Sequence, residues 1–240
     1  MRKLINEFRD LLSTVSPVLA AMMVISVVGM NLLANKSIDT GLEWLALDCG
    51  ILLSWMTFMS MDVMTQCYGP RASTLMSVFA IIMNLIMAGI FWIAGALPGV
   101  WGESFVDGSE NVINGALNNT FSGTWFIILG SSIAFMVSSI VNNFLNYGVG
   151  KALKKKDGFG TFATRAYVST FIGQFTDNLV FALLVSKVFF GWTLIQCITC
   201  AFTGAIMELL FEVFFSPLGY RIAKGIRARD NAYGRLAEAR

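Results

Sequence analysis

The chain has no histidine, only 4 prolines in 240 residues, and 13% charged residues where a soluble domain carries about twice that share. Without histidine there is no imidazole for a Ser-His-Asp triad or for the usual zinc sites. With charge this sparse, 56% hydrophobic residues and a mean hydropathy of +0.68, the composition is that of an integral membrane protein. Cysteine is also scarce. Cys49, Cys67, Cys197 and Cys200 all lie in or beside apolar runs, and the CxxC spacing of the last two falls within one such run. Buried thiols on one helical face follow from that placement, because redox or metal work needs accessible thiolates. No phosphate-cradling loop, nucleotide fingerprint or nucleophile with a base is present, so no cofactor, no metal and no catalytic group is expected.

Apolar runs of bilayer-spanning length, about 20 residues, divide the chain into six segments near 17–34, 42–61, 72–97, 124–147, 164–190 and 193–220. A single all-α domain of six transmembrane helices is the expected fold, with 221–240 as a basic tail. Fifteen of the seventeen Lys and Arg fall before the first span, in the second and fourth loops or after the sixth, leaving Lys36 and Lys187 for the other side. By the positive-inside rule both termini are cytoplasmic. The third loop, 98–123, carries Glu103, Asp107 and Glu110 and no Lys or Arg, and reads as an external excursion with a short helix near 112–117. Beside membrane segments the basic tail marks topology and lipid contact, not nucleic acid.

The polar residues inside the spans are the informative ones. In the fifth span Thr170, Gln174, Asp177 and Asn178 follow i, i+4, i+7, i+8 and share a helical face, opposite Phe, Leu and Val. A carboxylate at membrane depth costs on the order of 2.5 to 3.5 kcal/mol on an isolated helix and so belongs in a protein-lined or watery interior. In the second span Asp48, Trp55, Asp62 and Gln66 recur at seven, seven and four, which predicts one stripe, with Trp55 either packed in the core or available to stack on a flat ligand. Ser139, Asn142 and Asn146 share a face of the fourth span, and Glu208 and Glu212 stand at i, i+4 in the sixth. Two like charges so spaced repel unless one is protonated or matched to a cation. Gly89, Gly95, Gly173 and Gly204 permit close helix contact, and the faces at Gly89 and Gly95 leave room for a homodimer.

Asp62 followed by Tyr68-Gly69, then Ser169-Thr170-x-x-Gly173-Gln174-x-x-Asp177, then Pro217-x-x-Tyr220, stand in order in the expected spans. On these motifs the chain resembles the queuosine precursor transporter family, also called the vitamin uptake transporter family, over roughly 50–220. The resemblance implies a six-helix inner-membrane importer of 7-deazaguanine bases, such as 7-cyano-7-deazaguanine and its aminomethyl derivative, for tRNA modification. Together with the polar faces of the spans it leaves Gln174, Asp177, Asn178, Asp62, Gln66, Trp55, Asn142 and Glu208 as the candidate substrate-binding residues. The chain departs from the family where Gln66 replaces a common charged residue, where Ser139 and Asn142 replace a Gln-x-x-Asp, and where Met207 replaces a Lys beside Glu208. The competing readings are a substrate-binding subunit of an energy-coupling-factor vitamin transporter, a membrane scaffold whose polar groups only hold helices together, and an intramembrane enzyme.

Overall fold

The computed structural model describes residues 2–39, 41, 47–98, 114–121, 125–153, 158–189 and 191–238. Among them the chain is almost entirely helical. The helices are α1 (Arg2–Thr14), α2 (Pro17–Leu33), α3 (Ile51–Tyr68), α4 (Pro70–Ala96), α5 (Trp125–Ala152), α6 (Phe159–Phe181) and α7 (Leu194–Glu238). A two-residue antiparallel pair, β1 (Ser37–Ile38) with β2 (Leu47–Asp48), joins Ser37 to Asp48 between α2 and α3. Beyond α6 a π-type turn at Ala182–Ser186 leads into one last turn at Lys187–Phe189.

Among the described residues four helices, α4, α5, α6 with its extension and α7, are long and apolar enough to cross a bilayer. A fifth is reached if α1 and α2 are joined across their 112° bend. That bend falls where Ser16 precedes Pro17, whose fixed φ and missing N–H suit the first position of a new helix. Phe8, Leu11 and Val15 turn inward from α1 while Asn6, Arg9 and Asp10 stay exposed.

α3 is polar because it is central. Thr57 to Thr65 is buried without interruption, and the helix packs against α2, α4, α5, α6 and α7. A helix surrounded by protein has no lipid to satisfy, so Asp62 and its hydroxyl neighbours are tolerated where an outer helix would reject them. The outer surface is the reverse. Ile82, Ile86, Ile90 and Ile93 of α4 and Phe202, Leu210 and Phe214 of α7 are exposed, while Ser73, Ser77, Ser138, Asn142, Asn143 and Asn146 are buried. Polar inside and apolar outside is the arrangement a bilayer solvent imposes.

Several expected boundaries move. The second apolar run, 42–61, becomes a helix at Ile51–Tyr68, and its first residues, 42–46, lie outside the described residues. Asp48 is therefore not on a stripe with Trp55 and Asp62. It sits in β2 and turns back to accept the Gly50 N–H at 2.7 Å, which closes the turn ahead of α3. The sixth helix does not stop near 220 but runs on to Glu238. Pro217 lies inside it and cannot donate to the Val213 carbonyl. The Ser216 hydroxyl does so instead at 2.9 Å, and the Tyr167 hydroxyl then donates to Ser216 at 2.8 Å, tying α6 to the proline site. Arg165, counted above as a loop charge, is buried within α6 at 8% exposure. Glu103, Asp107, Glu110 and Lys154 to Lys156 lie outside the described residues. The short helix expected near 112–117 corresponds to helical turns at Asn114–Asn118 and Asn119–Phe121.

Candidate functional site

The polar face of α6 does two different jobs along its length. Its upper part, Gln174, Asp177 and Asn178, lines a cavity of about 470 Å³ closed by α2, α3, α5 and α7, with Asn31, Asp48 and Glu208 on the facing walls. Asp177 accepts a hydrogen bond from the Ser138 hydroxyl at 2.7 Å, and the Asn178 amide donates to Glu208 at 3.2 Å. Gly204 makes that second contact geometrically possible, because a Cβ there would lie 2.7 Å from the Asn178 amide nitrogen. Gln174 is 1% exposed and its amide nitrogen has no hydrogen-bond partner. A buried donor left unsatisfied costs about 1 to 3 kcal/mol, so its position facing a cavity calls for an acceptor there.

Phe58, Phe181, Trp192, Met30 and Ile127 give the chamber apolar walls. Three carboxylates, Asp48, Asp177 and Glu208, share it, and no Lys or Arg is among the described residues that line it. Their charges act on one another. Burial pushes the Asp48 carboxyl up to about 6 against the opposing Gly50 N–H. An apolar chamber edged with carboxylates and one free amide N–H suits a small flat solute with several N–H donors and a carbonyl.

One turn further along, most side chains are occupied with each other, although the Asn142 side-chain oxygen has no hydrogen-bond partner. Asp62, fully buried, accepts from Asn142 at 2.9 Å, Ser169 at 3.2 Å and Thr170 at 3.2 Å. The Asn146 amide donates to Ser169 at 3.3 Å, and Arg165 donates to both the Asn146 carbonyl and its side-chain oxygen, at 3.1 and 2.9 Å. Beyond this layer a second cavity of about 340 Å³ is lined by Gln66, Tyr147, Thr161, Arg165, Tyr220 and Arg227.

The candidate residues thus divide. Gln174, Asp177, Asn178 and Glu208 meet in the chamber. Asp62 and Asn142 pair in the layer beneath it, and Gln66 lies in the second cavity. Trp55 is elsewhere, stacked on Phe215 at 3.7 Å between ring centroids and 11° between planes, so the expectation that it stacks on a ligand gives way to packing between α3 and α7. Chamber residues that sequence reasoning did not single out as ligands include Asn31, Ser131, Asn35 and Trp192. Asn31 and Asn35 stand four apart at the end of an otherwise apolar run, a signal of the same kind as the face of α6. Asn31 bonds the Val27 carbonyl and accepts from Ser131, bridging α2 to α5. Cys197 is buried against the Ala182 carbonyl and Cys200 lines the chamber, and neither is in a disulfide.

Residues 48–222 match the family described as "Putative vitamin uptake transporter". No curated protein and no solved structure matches the chain.

Proposed function

Because the chain belongs to the vitamin uptake transporter family, we propose that it imports a 7-deazaguanine base, a queuosine precursor, or a closely related flat heterocycle. The observation that supports this reading is the chamber itself: unpaired amide, carboxylates and aromatic walls converge on one space of about 470 Å³. A guanine-like edge offers adjacent N–H donors that one carboxylate accepts as a pair, and Asp177 or Glu208 supplies it. The neighbouring ring carbonyl accepts from the free Gln174 N–H. Phe58 or Trp192 holds the plane of the base, a contact worth about 1 to 3 kcal/mol in other base-binding proteins. The aminomethyl derivative adds a cation that the three carboxylates favour.

In this reading all six long helices span the inner membrane and both termini are cytoplasmic. The chamber, beside the turns after α2 and before α7, opens on the opposite face, and the arginine-lined cavity faces the cytoplasm. Uptake of labelled 7-cyano-7-deazaguanine by cells lacking their own importer tests it. Asp177→Asn and Gln174→Ala each lower uptake by about 10-fold or more at normal expression, the scale of one lost hydrogen bond to a charged or buried partner. Unchanged uptake in both variants overturns the assignment.

A further inference from the structure

One helical turn below the chamber lies a set of buried atoms that can only accept. Glu212 is four residues past Glu208 on α7, Asp62 four past Phe58 on α3, and Asn142 four past Ser138 on α5. Each is therefore displaced by about 6 Å along its helix axis from a neighbour at or lining the chamber. All three are 0% exposed. Both Glu212 carboxylate oxygens lack a hydrogen-bond partner, and so does the side-chain oxygen of Asn142, although its amide nitrogen is committed to Asp62. The Asp62 charge acts on Glu212 across the α3 to α7 contact.

Two buried carboxylates and an orphaned amide oxygen have nothing to donate to one another. The surrounding charge does not cancel them. Arg165 acts on Asp62, but its guanidinium N–H groups go to Asn146 and it stands beside Arg227. Of the other titratable groups on the elements packed against α7, Tyr167 of α6 is bonded to Ser216, Cys67 of α3 to the Ala223 carbonyl, and Asp177 and Asp48 act on Glu208. None of them bonds Glu212. One positive charge is missing, and an isolated buried carboxylate without it is among the costliest groups a membrane interior can hold.

We propose that Glu212, Asp62 and Asn142 form a second binding site for a single monovalent cation, a proton or a sodium ion. As a proton site, Glu212 carries the hydrogen and donates it to the Asn142 oxygen or to Asp62. As a sodium site, the same oxygens are its ligands. Resting on the importer reading, this assigns the coupling ion to a place one turn from the substrate, where occupancy of either site changes the electrostatics of the other through α3 and α7.

The test uses purified full-length protein in detergent with no substrate. Its melting midpoint is followed against pH in sodium chloride and in choline chloride of equal ionic strength. A proton held by the folded state and not by the unfolded chain makes the midpoint fall as pH rises. A sodium ion raises the midpoint with its concentration. The wild type shows one of these dependences in excess of Glu212→Gln, the choline arm deciding between the two ions. Glu212→Met, which fills the same volume without charge, carries the same comparison if Glu212→Gln does not fold. Asp48 titrates alike in all these proteins and cancels in the difference. Identical pH profiles in wild type and variant, with no sodium effect, overturn the site. The importer reading is checked separately by uptake: titration without uptake removes that reading and leaves the site, and uptake without titration does the reverse.

Discussion

The two cavities of the bundle are opposites in charge, although each has one glutamine whose buried amide nitrogen lacks a partner. The larger holds Asp48, Asp177 and Glu208 with no described Lys or Arg on its walls, and the smaller holds Arg165 and Arg227 with no described Asp or Glu. Around Arg165 the known contacts are bonds to protein, two of them to Asn146. Around the chamber a buried amide N–H on Gln174 is left free. Polar groups at membrane depth are retained either because protein satisfies them or because a solute does. Arg165 follows the first course; the amide nitrogens of Gln174 on the chamber and Gln66 on the smaller cavity are left to the second.

The largest expected effect tests that division directly. Arg165→Ala removes the donors to both Asn146 oxygens and takes the positive neighbour away from buried Asp62. Breaking a buried charged network by deleting one partner costs about 3 to 5 kcal/mol. Glu208→Gln keeps the shape of the chamber and lowers its carboxylate count, so its cost in stability stays within about 1 kcal/mol. Chemical unfolding in detergent measures both. Equal losses would mean that the chamber carboxylates hold the fold as firmly as Arg165 does, and the comparison would fail.

The same division explains what the sequence could and could not show. Gln174, Asp177 and Asn178 were legible because helical spacing alone puts them on one face, and Glu208 because an intramembrane carboxylate demands a cavity. Asp48 was misplaced because helical periodicity was carried backward across Gly50, where an Asp side-chain bond closes a turn. Which of its two readings holds for Trp55 was not legible, because the partner that covers an indole depends on how α3 meets α7, and Phe215 lies 160 residues away. Arg165 read as a loop charge because nothing local announces its shelter: the Asn146 acceptors stand on another helix, and Gly150 leaves room for the guanidinium, which a Cβ there would meet at 2.6 Å. The start of a span at Pro17 was legible, but the helix before it and the 112° bend between them were not.

A smaller effect separates the chamber from the rest of α7. Gly204→Ala sets a methyl group 2.7 Å from the Asn178 amide nitrogen, so Asn178 must move and release Glu208. A lost hydrogen bond to a charged acceptor is worth about 1.5 to 3 kcal/mol, or roughly 10-fold or more in ligand affinity if the bond orients the carboxylate. Gly225→Ala, on the same helix with nothing within 4 Å of the added atom, leaves affinity unchanged. Thermal-shift titration with 7-deazaguanine bases reads both variants, and equal behaviour would detach the Asn178 to Glu208 contact from the site.

The smallest effect is a matter of pH. Burial holds the Asp48 carboxyl at about 6, so it is neutral below that value and charged above it. A cationic base such as the aminomethyl derivative gains one more negative neighbour as the pH rises through 6, while the uncharged cyano base does not. Asp48 stands half-buried in the turn before α3, and a partly exposed charge pair contributes about 0.2 to 1 kcal/mol. The ratio of cationic to neutral affinity therefore climbs by about 1.4- to fivefold across this step in the wild type, and the step is absent in Asp48→Asn. If both ligands followed the same pH curve in both proteins, the chamber would not distinguish charge at its mouth, and the carboxylates deeper in it would alone account for the contrast with the arginine end.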